Sequence, residues 1–230
     1  MHRTRVFFLA LSLLVATPLS ARADEGWYPI KADDGTAIDN HRVPVELESE
    51  IEKLPGVVIA GNPHGEVTVN EFYDLNCPFC RQASGDIAAM VRGNPELRLV
   101  LVPFPVLGIP SIQGTLVELG VARVASPQKF YEFHEKIMSS RGVTDATRAA
   151  AVAKEMGLDI DEIMKIANEK GQGAVMVKHV KLGDALAIQA TPGFVIKGVA
   201  ILGYPGPKSL ARIIEAVQRC DNVVCGQSPR

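Results

Sequence analysis

The chain has 230 residues, 47% of them hydrophobic and 22% charged, with a formal net charge of −2. That composition excludes a disordered, collagen-like or coiled-coil protein and leaves ample material for a core. No block of lysine and arginine stands out, which excludes the basic footprint of a nucleic-acid binder.

Residues 1–23 have the layout of a secretory signal. Arg3 and Arg5 supply a positive start, Val6 to Val15 form an apolar run broken only by Ser12, and Ala21-Arg22-Ala23 gives a small-x-small cleavage site before Asp24. The run is shorter than the roughly 20 apolar residues that a membrane span needs, and no later segment qualifies. Removal of Arg3, Arg5 and Arg22 leaves 21 basic against 26 acidic residues, a net charge near −5. The expected location is the periplasm. In such an oxidising compartment a close cysteine pair persists as a disulfide, whereas in the cytosol zinc would be the better reading.

Residues 24–56 are polar, with Asp33-Asp34-Gly35 as a turn and Pro44 and Pro55 as breakers, and read as an N-terminal extension with a short helix from Val45 to Lys53. Val67 to Tyr73 alternate as a strand. Ala83, Ile87, Ala88 and Val91 fall at helical spacing from Pro78 to about Arg92, and Pro78 suits a first helical turn. Leu97 to Phe104 is a buried strand that completes a β-α-β unit. From Ile109 to Ile188 the pattern is helical. Ser126-Pro127 opens one helix, with His134 beside its Phe130–Ile137 apolar face. Thr144 or Asp145 opens another that ends at Gly157, and a third runs from Asp159 to Lys170. Phe194–Ile196 and Val199–Leu202 read as a hairpin around Lys197-Gly198, Tyr204-Pro205-Gly206-Pro207 as a turn, and Leu210–Val217 as a last amphipathic helix. The fold class is α/β, a sheet domain interrupted by a helical insertion. Residues 57–108 and 189–219 make the sheet domain, 109–188 the insertion and 220–230 a tail.

Cys77-Pro78-Phe79-Cys80 stands where the first strand hands over to its helix. A helix N-terminus presents unpaired amides and the positive dipole end, which favour an anion. A thiolate is the nucleophile and the leaving group of disulfide exchange, and such surroundings lower a cysteine pKa to about 3.5–7.5. Two intervening residues let Cys80 attack a mixed disulfide formed by Cys77. The alternatives for this pair are an inert bridge, half of a zinc site shared with Cys220 and Cys225, or a copper(I) chaperone site, since soft thiolates favour that ion. No cofactor or metal is expected. Cys220 and Cys225, just after the last helix, read as a structural disulfide pinning the tail, with a second redox pair as the alternative.

Asn70-Glu71-Phe72-Tyr73-Asp74-Leu75-Asn76-Cys77-Pro78-Phe79-Cys80, followed much later by Thr191-Pro192, resembles the DsbA-like thiol:disulfide oxidoreductases of the thioredoxin superfamily, over about Val57 to Arg219. The resemblance implies a thioredoxin fold, Cys77 as attacking thiolate, Cys80 as resolving cysteine and a cis bond before Pro192. It further implies that Thr191 offers backbone groups to a substrate peptide, and that Glu71 is a buried acid passing protons to and from Cys80. Taken alone, Glu71 reads as a strand-edge carboxylate and Asp74 as a turn residue. Phe79 stands where the strongest oxidants of the family carry a histidine that stabilises the thiolate. Thr191 resembles the isomerase and reductase branches, for whose N-terminal dimerisation segment residues 24–56 are short. The implied partners are unfolded or cysteine-containing exported proteins, which Phe79 could contact, and a membrane redox partner; no nucleic acid is expected.

Overall fold

The computed structural model describes residues 28–226, so the expected signal at 1–23 lies outside the described residues. One mixed sheet organises the chain. Its strands are β1 (Asn40–Arg42), β2 (Val58–Gly61), β3 (Val67–Tyr73), β4 (Leu97–Pro103), β5 (Gly193–Ile196) and β6 (Val199–Leu202), in the order β1-β6-β5-β3-β4-β2. Only β3 and β4 run parallel, joined by helix α2 (Pro78–Gly93) as the β-α-β unit requires. The α/β sheet with a long helical insertion is borne out.

Strand alternation divides the interior in two. Val67, Val69 and Tyr73 of β3, with Leu97, Leu99 and Leu101 of β4, face the larger core with α2 and α8 (Pro207–Cys220). Phe72, Val100 and Val102 point the other way, toward Ile51 of α1 (Val45–Ile51) and Leu182 of α7 (Gln172–Ala185). Helix α8 contributes Leu210, Ile213, Ile214 and Val217, an i, i+3, i+4, i+7 stripe that covers the sheet.

The insertion runs as α3 (Ile109–Val124), α4 (Pro127–Met138), α5 (Ala146–Glu155), α6 (Ile160–Ala167) and α7. Ser126, Asp145 and Asp159 each accept a backbone N–H in the first turn of the helix they open; loss of one such cap costs about 1 kcal/mol. Val117 and Val121 of α3 and Phe130 and Phe133 of α4 share the core with the sheet. Gly114 of α3 lies so close to the loop above it that a Cβ there would stand 2.9 Å from the carbonyl of Thr144. No helix among the described residues is long and apolar enough to cross a membrane.

Two edge strands escape the sequence pattern, because β1 and β2 are short and one of them is polar. The segment expected as an extension is sewn to the sheet. Asn40 exchanges hydrogen bonds with the backbone of Tyr28, and the Asp33 carboxylate accepts the N–H groups of Lys208 (3.0 Å) and Ser209 (2.7 Å). A residue 176 positions away therefore supplies the N-terminal cap that Gly206, without a side chain, cannot give α8.

Candidate active site

Strand β3 ends in the turn Asp74-Leu75-Asn76, and Cys77 is the N-cap of α2, with extended backbone and Pro78 in the first turn. The turn is held by a buried polar lattice. Asp74 accepts from Asn76 N and Ser111 Oγ (both 2.7 Å) through one oxygen and from Val106 N and Leu107 N (both 2.9 Å) through the other. Asn76 accepts from Thr144 N at 2.7 Å and donates to the Thr144 carbonyl and Ser111 Oγ at 3.0 Å. Arg81 donates to the carbonyls of Leu75, Ser140 and Gly142 and to Thr144 Oγ1. Three segments of the chain, the 74–76 turn, the stretch 106–111 and the loop 140–144, are thereby fixed together beside the pair of thiols. Sequence reasoning gave Asp74 only a turn role and Thr144 only a helix start, and missed Asn76, Arg81 and Ser111.

Cys77 and Cys80 are both unbridged and buried. Their environments are opposed. The Cys77 thiol is pulled down to about 6, first by the hydrogen bond from the Cys80 thiol, against the opposing effect of burial; the Thr191 hydroxyl and the N–H groups of Cys80 and Phe79 also stabilise the thiolate. These are the orphan donors of a helix N-terminus. Burial drives the Cys80 thiol far above its ordinary value, with donation to Cys77 and the charge of Glu71 adding to it. The Thr191–Pro192 peptide is cis, and in the thiol form Cys77 Sγ donates to the Thr191 carbonyl at 3.0 Å. The side chain of Thr191 thus supplies part of the thiolate stabilisation that Phe79 cannot.

Glu71 does not sit at a strand edge. It pairs with Leu101 of β4 and Phe194 of β5 in the middle of the sheet, is 2% exposed, and its Oε1 has no hydrogen-bond partner. Burial raises its carboxyl to about 7; His134 opposes the shift and Cys77 adds to it. His134, read from sequence as a partly buried helix residue, is fully buried, with Nδ1 3.1 Å from Glu118 Oε1. Phe79 is 62% exposed, and Val106, Leu107, Ile109 and Val143 are also exposed on the loops tied to the turn. At the other end of α8, Cys220 and Cys225 are joined as a disulfide with Cα atoms 5.8 Å apart. Among the described residues, no three His, Cys, Asp or Glu side chains gather as a metal site.

A family model described as Thioredoxin matches residues 53–216. Among solved structures, a thioredoxin-like oxidoreductase from Silicibacter pomeroyi is similar at 28% identity and a TM-score of 0.67, over 78% of this chain and 98% of that one. The thiol-disulfide exchange protein alpha-DsbA2 from Wolbachia pipientis shares the fold at 18% identity and a TM-score of 0.68, over 75% and 93%. So does a periplasmic thioredoxin-like protein from Salmonella enterica serovar Typhimurium, at 21% and 0.67, over 76% and 97%. Among curated proteins, the Na(+)/H(+) antiporter NhaA 3 of Salinispora tropica is 23% identical over 160 residues, 69% of this chain and 24% of that protein. The chain spans about a quarter of the length of the curated relatives it matches.

Proposed function

The chain belongs to the thioredoxin family, and on that premise we propose that it is a periplasmic, DsbA-like protein-disulfide oxidoreductase acting on exported proteins through Cys77 and Cys80. The observation that carries this reading is the asymmetry of the two thiols, one held near 6 at a helix N-terminus and the other pushed far up by burial. Such an arrangement keeps Cys77 a thiolate at neutral pH while Cys80 waits as a thiol.

In the oxidative direction a substrate thiolate attacks Cys77 of the Cys77–Cys80 disulfide. A mixed disulfide forms, and Cys80 leaves as a thiolate that takes a proton from Glu71. A second substrate thiolate then attacks the substrate sulfur, which leaves with a new disulfide while Cys77 departs as a thiolate. A membrane redox partner then takes the two electrons from the dithiol. In the reductive direction Cys77 attacks a substrate disulfide, Glu71 as carboxylate accepts the Cys80 proton, and Cys80 displaces the substrate from Cys77. Thr191, preceding the cis Pro192, offers its backbone to the substrate strand. Exposed Phe79, Val106, Leu107 and Ile109 around the pair suit chains that still expose apolar residues.

In this reading residues 1–23 are removed on export, the described part of the extension 24–56, from residue 28 on, braces the sheet, 57–108 with 189–219 carry the exchange site, and 109–188 close over it. The disulfide of Cys220 and Cys225 pins the tail 220–230. The test is equilibration of the protein with glutathione buffers, counting thiols by alkylation and mass. A thiolate near 6 lies between thioredoxin and the strongest oxidant of the superfamily, so the pair should equilibrate between about −270 and −120 mV. A pair that never exchanges with glutathione would refute the reading.

A further inference from the structure

The second cysteine pair has a polarity of its own. Cys220 is the last residue of α8, exposed at the helix C-terminus, and Cys225 is half-buried after a short loop. Cys220 Sγ lies 3.0 Å from the carbonyl oxygen of Ala216 and 3.8 Å from that of Asn222. Those carbonyls and the negative end of the helix dipole oppose a thiolate at Cys220. Cys225 Sγ stands 3.7 Å from the Ala216 carbonyl but has Arg219 Nη2 at 3.5 Å, a cation that favours a thiolate there. Asp221, next to Cys220, is paired with Lys197 at 2.6 Å. The guanidinium is therefore the charge that sets the two sulfurs apart.

The loop between them is built to survive opening of the bond. Val223 is 2% exposed and packed in the larger core, so apolar burial holds the loop when the disulfide is open. A loop so short also removes little entropy from the unfolded chain, and the fold does not depend on its closure. An accessible disulfide with one stabilised leaving group is the kind that exchanges with thiols.

We propose that Cys220–Cys225 is a second exchange site, opened by a low-molecular-weight thiol that attacks Cys220 and expels Cys225 as a thiolate beside Arg219. The incoming thiolate bonds to Cys220 Sγ as the Cys220–Cys225 bond breaks, and the electron pair leaves on Cys225. A second thiolate then attacks the sulfur of the bound thiol and leaves with it as a small disulfide. Cys220 departs, takes a proton from solvent and donates it to the Ala216 carbonyl. Two external thiols are oxidised and one protein disulfide is reduced. The substrate class follows from the surroundings, since the exposed large apolar side chains around Cys77 have no counterpart in α8 or in residues 221–226. The site stands apart from the exchange at Cys77 and goes beyond it.

The test uses the full chain carrying Cys77→Ser and Cys80→Ser, so that one cysteine pair remains and its behaviour is independent of the exchange reading. The protein is incubated with reduced glutathione and quenched with N-ethylmaleimide at intervals, and tandem mass spectrometry reads its C-terminal peptide. The same peptide taken from the wild type covers the case of the double variant failing to fold. The mixed form should carry glutathione on Cys220 and maleimide on Cys225. A difference of about one pKa unit between the sulfurs gives that isomer about a threefold excess over its reverse. Arg219→Gln should slow opening about threefold and even out the two isomers, and Arg219→Lys should restore both. Glutathione shared equally or found mainly on Cys225, a preference that Arg219→Gln leaves intact, or a bond that stays closed in excess glutathione overturns the inference.

Discussion

Cys77 Sγ lies 3.0 Å from the carbonyl oxygen of Thr191, a hydrogen bond between residues 114 apart in sequence. It brings the start of α2 against the cis peptide before β5. The threonine hydroxyl then serves the thiolate from the same side as its backbone carbonyl serves the thiol.

Cys77 should therefore be alkylated by iodoacetamide with a half-maximal rate near pH 6 in the reduced protein. Thr191→Val, which keeps the backbone but removes the hydroxyl, should raise that midpoint by about one unit. Because the folded value lies below the reference of 9.0, ionisation of Cys77 stabilises the dithiol form above that pH, and the gain is lost as pH falls through about 6. A profile centred near 9 would contradict this account of the site.

Glu71 has the opposite sign. Its carboxyl titrates near 7 in the fold against 4.5 as reference, so the fold is favoured below 4.5 and that contribution is lost as pH rises toward 7. Glu71→Gln should accordingly raise stability at pH 8 by up to about 3 kcal/mol relative to its effect at pH 4. It should slow the Cys80 step at the same time. Urea unfolding at the two pH values, beside single-turnover kinetics, checks both halves.

Asp74 accepts four hydrogen bonds inside the turn that presents Cys77. Asp74→Ala leaves those donors unpaired and should destabilise the protein by about 3 kcal/mol in urea unfolding. The exchange rate should fall as the loops at Val106 and Thr144 come loose from the turn.

Replacing both Cys220 and Cys225 with Ser opens a loop with a sequence separation of 5. In the chain-entropy picture the loss is only about 2 kcal/mol. Thermal unfolding should register it while turnover with a peptide disulfide stays within twofold. An equal collapse of turnover would favour a relay role for this second pair.

The parts of the fold legible in the sequence are those with a clear local pattern. Val67–Tyr73 alternates, Leu97–Phe104 is an apolar run broken only by Arg98 and Pro103, and Pro78 and Ser126-Pro127 mark helix starts by their own chemistry. β1 is three residues long, with Asn40 pairing to Ile201, and no periodicity exists over so short a span. Glu71 reads as an edge residue because strand order is not local; β5, which puts it in the middle of the sheet, lies more than 120 residues away. The lattice of Asp74, Asn76 and Arg81 has the composition of a solvated turn. Only the approach of Ser111 and Thr144 from the helical insertion buries it. His134 and Glu118 share that history, since neither has meaning until α3 and α4 lie side by side.

The central claim is tested most directly by intact-mass analysis of Cys80→Ser after incubation with a peptide disulfide. The account predicts one peptide attached through Cys77 and retained until a reductant is added, with no adduct on Cys77→Ser. A Cys80→Ser protein that traps nothing, or that carries the peptide on Cys220 or Cys225, would contradict it.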